Sequence, residues 1–420
     1  MAAEGSVYQR KVREKHRRQA GHWLTTLVML FYFIAFLQLA LRDLAWQGFA
    51  LAVGVPAMIW LGVHALPRIY HADTLLLSLT NFLCALGILV LYGTSPARAY
   101  QQTIFYGLGI IAMMACVWAV RFLKQWRVTS MLLYPLSLAL LALPILFGQE
   151  IYGAKNWISI AGYSFQPSEL VKISLLIILA RHMSRRHFLT WAFFAVCCLG
   201  ALMLQKDLGT ALLYYAVTLL MYIAAEGNPF VTGLGLAGGC GAAVLGYRMF
   251  AHVKRRVAIW RNPWADYENA GYQLVQSLMA IASGGLFGVG LGLGSPTTIP
   301  VYHTDFIFAV ICEQFGWIFG LCVLAMYVAL VWRGAATAMA ARSRFHGLLA
   351  LGATLMLGLQ TFVIVGGVIK LIPLTGVTMP FVSYGGSSLL SSMCLIGLIQ
   401  GVSCLNDKGL ERDWELATGR

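Results

Sequence analysis

Sixteen acidic residues occur among 420, few enough to weigh one at a time. Glu4, Glu14, Asp407, Glu411, Asp413 and Glu415 lie in polar tails. Asp43, Asp73, Glu150, Glu226, Asp266 and Glu268 lie in or beside loops. That leaves Glu169, Asp207, Asp305 and Glu313, in or at the edge of apolar segments. A carboxylate near the centre of a bilayer costs roughly 2.5–3.5 kcal/mol on insertion scales, so each of these needs a reason. In "IPVYHTDFIFAVICEQFG", residues 299–316, His303 or Thr304 can cap a helix and Asp305 then falls in its first turn. Compensation of the helix dipole would account for that acid on its own. Against it stands the neighbourhood, because the preceding loop begins with Arg248, Lys254, Arg255, Arg256 and Arg261. A long loop tolerates such a cluster without penalty; the sharper reading is that the cluster binds an anion.

The other constellations carry a bland reading beside a functional one. In "YSFQPSELVKI", 163–173, Pro167 suits the first helical position and Glu169 the first turn, with Lys172 three residues on and on the same face. A local ion pair explains Glu169 well. It explains Lys172 less well, since a cation one turn into a membrane helix needs a partner or a wet cavity. Asp207 in "QKDLGT" is either an N-cap or part of a site. Glu313 lies about 12 Å deeper than Asp305 and about 80° around a continuous helix, so it is expected to hydrogen-bond to another helix. The glycine-rich stretch 284–295 has no nucleotide-loop pattern and reads as flexible backbone that closes over something. The stretch 271–283 is amphipathic enough to lie on the membrane surface. Pro373, Gly376 and Pro380 break the last loop, where Thr375, Ser383, Tyr384 and the Gly385–Gly386 backbone would suit a polar cavity.

These residues need a scaffold, and composition names its class. The chain is 59% hydrophobic and 11% charged, against about 25% charged in a soluble globule. It reads as an all-α polytopic membrane protein with about twelve spans, near 23–41, 46–66, 74–93, 103–121, 128–147, 167–181, 188–204, 209–225, 230–250, 305–332, 346–367 and 386–404. The basic tail 1–21, with Arg10, Lys11, Arg13, Lys15, Arg17 and Arg18, belongs in the cytoplasm, and the first apolar run is too long for a cleavable signal. Twelve crossings put Arg68, Arg121, Lys124, Arg127, Arg181, Arg185, Arg186, Arg333, Arg342, Arg344, Lys408, Arg412 and Arg420 on that same side. Arg42, Arg98, Lys155, Lys206 and Lys370 fall on the other. Both termini are therefore expected in the cytoplasm, flanking a membrane domain, 22–404, with a long extracytoplasmic loop, 251–304, and a short tail, 405–420. The net charge of +14 reflects this topology and gives no sign of nucleic-acid binding. The nine cysteines show neither metal-site spacing nor a disulfide framework.

"GAKNWISIAGYSFQPSELVKI", "DLGT", "YQLVQS", "HTDFIFAV" and "IPLTGVTMPFVSYGGSSL" follow one another in this order and resemble the SEDS family, the RodA, FtsW and SpoVE proteins. The resemblance covers roughly residues 153–404. It implies a peptidoglycan glycosyltransferase that polymerises lipid II into glycan strands at the outer face of the bacterial cytoplasmic membrane, beside a class B penicillin-binding transpeptidase. It implies that Asp305 is catalytic and that Gln166, Glu169, Lys172, Asp207 and Arg256 belong to the site. The chain departs from the family pattern at "IPVYHTDF", which lacks the usual acid before the histidine, at "KDLGT" and at "CEQFG". Familiar members have ten helices, and the surplus here lies before residue 153.

The chemistry of such a transfer needs one base near the acceptor hydroxyl and positive charge near the departing diphosphate. Asp305 would supply the first, and Lys172, Arg255 and Arg256 the second, in a groove shared with His303, Thr304, Ser383 and Tyr384. Burial would raise the carboxyl pKa of Asp305, while cations and a helix N-terminus would lower it. No resident cofactor is called for. A divalent cation, magnesium or manganese, could sit at Asp305 or Asp207, though no ligand cluster argues for one. A lipid II flippase without polymerase activity is the alternative, followed by an ion-coupled transporter and a scaffold for division proteins.

Overall fold

The computed structural model describes residues 2–70, 72–123, 126–151, 154–160 and 163–418. The side chains of the basic stretch 10–18, and Lys124, Lys408, Arg412 and Arg420, lie outside this description.

Apolar runs become helices, and local chemistry sets where they begin. Helices α1 (Ala2–Asp43) and α2 (Trp46–Trp60) come first. A π-helical turn, Leu61–Ala65, and α3 (Leu66–Ile69) then extend the second crossing. Asp73 caps α4 (Thr74–Thr94), accepting from the Leu75 and Leu76 amides. α5 (Pro96–Phe122) starts on proline, and α6 (Trp126–Phe147) follows. A small antiparallel sheet, β1 (Gln149–Ile151), β2 (Ala154–Ile160) and β3 (Tyr163–Phe165), leads into α7 (Pro167–Ser184). α8 (Phe188–Leu204), α9 (Leu208–Ala225) and α10 (Pro229–Met249) complete the middle of the chain. The segment 251–304 contains α11 (Ala251–Arg261) and α12 (Tyr272–Gly284). Last come α13 (Ile307–Met339), α14 (Arg344–Val368) and α15 (Gly386–Thr418).

Ten helices among the described residues are long and apolar enough to cross a membrane. With α7 and α8, of 18 and 17 residues, they coincide with the twelve segments expected from the sequence. This is an all-α polytopic membrane protein. α1 and α15 continue into the segments read as tails, over 2–21 and 405–418.

Three expectations are corrected in this scaffold. α13 is not continuous: Gly316 has φ 84° and ψ 163°, which breaks the helix after its first nine residues. The glycine-rich stretch is not a loose flap, because it is laced to that break. The Val289 and Gly290 amides donate to the Glu313 and Gln314 carbonyls at 2.9 and 3.0 Å, and Trp317 donates back to Gly285 at 3.0 Å. A Cβ on Gly288 would lie 2.2 Å from the Gln314 carbonyl oxygen, so only glycine lets the two backbones meet. Glu313 accordingly bonds to this loop rather than to another helix, accepting from the Ser295 amide at 3.0 Å. The apolar face of α12, with Leu274, Val275 and Ala280 buried, packs on α13; Gly284 touches the Cys312 carbonyl.

The far end of the bundle is closed by a clasp. Asp73 receives the Arg333 guanidinium, and its backbone exchanges two 2.8 Å hydrogen bonds with the Gln400 amide, which ties α4, α13 and α15 together.

Candidate active site

One cavity of ≈ 1220 Å³ opens between α5, α7, α9, α11 and the segments before α13 and α15. Gln166, Glu169, Lys172, Asp207, Arg255, Arg256, His303, Thr304, Asp305 and Tyr384 all line it. Residues scattered over more than two hundred positions of sequence thus face one space. All five single cations read as lying on that side belong to this end. Lys206 lines the cavity, Arg42 donates to Gly292, Arg98 donates to Tyr302, and the Lys155 amide and Lys370 carbonyl bond to Gln205 and Trp260.

Asp305 does not occupy the first turn of a helix. It lies in the turn before α13, whose N-cap is Phe306, so dipole compensation is not its role. The turn is fixed from behind: Ser383 donates to the Thr304 carbonyl at 2.6 Å, and the Tyr384 amide donates to the His303 carbonyl at 2.8 Å. Burial raises the Asp305 carboxyl to about 6, against the opposing pull of Thr304 and the Arg256 charge. The sequence left that contest open, and enclosure wins it. His303 goes the other way: burial and the Arg98 charge lower it to about 4, so it is neutral at pH 7.

Arg256 reaches the site from α11, whose residues His252, Arg255, Arg256, Ile259 and Trp260 share the cavity-facing side at helical spacing. Its guanidinium donates to the Thr375 carbonyl at 2.8 Å. Burial lowers its pKa and the charges of Asp305 and Asp207 raise it again; an arginine stays cationic throughout. Gly376 lies beside both the guanidinium and Asp305. A Cβ there would lie 3.5 Å from Arg256 Nη2 and 3.7 Å from Asp305 Oδ2, and φ is 76°. Arg255 is exposed on the cavity rim.

Four expected binding residues, Glu169, Lys172, Asp207 and Ser383, make structural contacts. Lys172 is 1% exposed and its three donors are taken, two by Glu169 at 2.8 Å and one by Gln360 at 3.0 Å. Glu169 also accepts from Ser391 at 2.5 Å. This closed pair cannot receive a diphosphate without being opened; of the three cations expected in that role, Arg255 and Arg256 remain on the cavity wall. Asp207 is the N-cap of α9, accepting from the Thr210 amide and hydroxyl at 3.1 and 3.0 Å. It also receives Asn156 at 3.0 Å and Gln166 at 2.9 Å, which ties β2 to the start of α7. Ser383 is 3% exposed and does not line the cavity; it accepts from the Met379 amide and braces the Asp305 turn.

The sequence reading missed Asn156 and Trp157 on β2, and Gln101 on α5, which accepts from the Tyr384 hydroxyl at the cavity wall. It also missed Gln102, which donates to the Ser383 carbonyl at 3.0 Å and accepts from Gly385 at 3.2 Å. Among the described residues no three His, Cys, Asp or Glu side chains converge on a metal site, and the Asp207 oxygens are occupied by hydrogen bonds.

The family model for FtsW, RodA and SpoVE, described as cell cycle protein, matches residues 66–408. This chain is a member of the FtsW/RodA/SpoVE family. It is 36% identical over 373 residues to the peptidoglycan glycosyltransferase RodA of Mycobacterium tuberculosis, covering 79% of this chain and 78% of that protein. It is 32% identical to stage V sporulation protein E of Bacillus subtilis over 364 residues, covering 79% and 96%. Among solved structures, the crystal structure of Thermus thermophilus RodA has a TM-score of 0.58 at 30% identity, covering 80% of this chain and 98% of that one. A chain from "Structural coordination of polymerization and crosslinking by a peptidoglycan synthase complex" has a TM-score of 0.67 at 28% identity, covering 80% and 98%. The family match starts at residue 66, so α1, α2 and the π-helical turn lie ahead of it.

Proposed function

We propose that this chain is a peptidoglycan glycosyltransferase that polymerises lipid II, with Asp305 as general base and Arg256, aided by Arg255, at the leaving diphosphate. The observation that carries the residue assignment is an enclosed carboxylate at about 6 with the Arg256 guanidinium on the other side of the same small residue, Gly376, and no ion pair between them. A base works best when its pKa lies near the working pH. Asp305 takes the proton of the acceptor sugar hydroxyl as that oxygen bonds to the anomeric carbon of the donor. The bond from that carbon to the diphosphate oxygen breaks on the opposite side, which inverts the centre. The negative charge then grows on the diphosphate, where Arg255 and Arg256 neutralise it in a site of low dielectric. The cavity, ≈ 1220 Å³, exceeds the usual range of about 300–1,000 Å³ for one small ligand, as a two-substrate reaction requires.

The enzyme acts in the bacterial cytoplasmic membrane, with the cavity on the extracytoplasmic side and both tails, 1–21 and 405–420, inside. The charge asymmetry of the loops supports this orientation. A class B penicillin-binding transpeptidase is its partner, a reading supported by the synthase complex in which a similar chain was solved. The test is polymerisation by the purified protein in detergent, with lipid II as sole substrate, with and without a cognate transpeptidase. Glycan strands are expected. Binding of lipid II with no polymer under either condition would favour transport without synthesis.

A further inference from the structure

We propose that the basic rim where α6, α7 and α8 meet, at the opposite end of α7 from the cavity, binds the phosphate headgroup of an anionic glycerophospholipid. α7 carries Glu169 in its first turn and Arg181 and His182 in its last, about 20 Å apart along the axis. At that far end a second cavity of ≈ 290 Å³ is lined by Met131, Tyr134, His182, Thr190 and Phe193.

The polar part of this cavity is built. The Tyr134 hydroxyl donates to the Thr190 carbonyl at 2.5 Å, and the Thr190 hydroxyl lies 3.0 Å from His182 Nδ1. The His182 ring is thereby oriented, and Nε2 is its remaining polar atom. Around it the chain concentrates cations. The Arg185 and His187 amides both bond to the His182 carbonyl, at 3.2 and 3.0 Å, and Arg186 takes φ 57°, which folds the basic turn over the end of α7. Arg181 lies within electrostatic reach of both Arg185 and Arg127. Among the described residues no ion pair joins any of these groups to a carboxylate.

Loop charge bias accounts for cations on this side of the membrane, but neither it nor the helix dipoles account for their placement at helix N-termini. Arg181 and Arg185 stand at the C-terminal end of α7, where cations are favoured. Arg127 is in the first turn of α6 and His187 is the N-cap position of α8. Cations are disfavoured at both places and anions are favoured. Neither helix has an acid in its first turn, and His187 makes no side-chain cap. An anion between them would meet two helix N-termini as well as the arginines. The walls specify what else the ligand carries. Met131 and Phe193 are 65% and 67% exposed, an apolar flank suited to an acyl chain. Anionic head and apolar tail together describe a membrane phospholipid, the class that basic pockets between membrane helices recognise.

The test uses the full-length protein in detergent and native mass spectrometry with dioleoyl phosphatidylglycerol or dioleoyl phosphatidylcholine at equal concentration, and with inorganic phosphate as competitor. Each cation near a headgroup is worth about a fivefold change in affinity, so phosphatidylglycerol is expected to be retained at least about tenfold better. The combined variant R127Q/R181Q/R185Q should lose that preference, whereas the same charge loss at Arg68, Arg121 and Arg342 should keep it. Equal retention of the two lipids by the wild type would overturn the proposal without recourse to any variant. So would equal loss of preference in both variants, which would mean a generic charge effect. Complete displacement of phosphatidylglycerol by millimolar phosphate would assign the rim to a free anion and exclude the lipid.

Discussion

Two couples of acid and base line the same cavity, and they are held in opposite ways. Glu169 and Lys172 are 5% and 1% exposed, meet at 2.8 Å and are sealed by Gln360 and Ser391. Asp305 and Arg256 form no ion pair, and each faces open space across Gly376. A buried pair with every donor used is a fastener between helices, here α7, α14 and α15. A pair held apart, each partner fixed from behind by backbone contacts, has capacity left for a substrate. Proximity in sequence favoured the first couple, three residues apart. The couple proposed to act on substrate joins positions 49 residues apart, brought together only by α11 and the turn before α13.

Breaking the two couples should therefore give different failures. Asp305→Asn removes the base and is expected to lower the polymerisation rate by about 10²–10⁴, with lipid II affinity within a few-fold of wild type by titration. Lys172→Met should fail as a fold. It strands the Glu169 carboxylate and costs roughly 3–5 kcal/mol, read as a large drop in melting temperature in detergent. The double variant Glu169→Gln/Lys172→Met should recover most of that loss; if it also recovers activity, the pair is structural. Arg256→Gln is expected to slow the reaction by about 10²-fold without loss of melting temperature. Gly209→Ala sharpens the contrast, because its Cβ would lie 2.7 Å from the Thr375 carbonyl that holds Arg256. A rate loss of about tenfold in a stable protein is expected. Arg255→Gln, on the exposed rim, should have the smallest effect, under about tenfold, and should fade at high salt.

The helices were legible because a run of about 20 apolar residues has few alternatives in a membrane. The acids were legible because so few exist. Geometry within the long polar segments was not. The strands at 149–165 are short, and "NWISI" alternates too briefly to announce a sheet. α11 hides its spacing of His252, Arg255, Arg256, Ile259 and Trp260 inside a segment read as loop, where charge drew attention away from periodicity. Gly316 breaks α13 inside a long, mostly apolar segment, so nothing in "EQFGWIFG" distinguishes it until the glycine-rich stretch is seen against it. Gln101 and Gln102 are uncharged and precede the segments that resemble the family. The closure of Lys172 is not legible in the sequence, because its third partner, Gln360, lies 188 residues away.

The proposed role of Asp305 as base is tested most directly by the pH dependence of the single-turnover polymerisation rate. With its folded pKa raised to about 6, the carboxylate is lost as pH falls through that value, so the wild-type rate should drop about tenfold per unit below it. The residual rate of Asp305→Asn should show no such limb. A wild-type rate that stays flat from pH 7 to pH 5, or an Asp305→Asn variant that keeps the limb, would contradict the account.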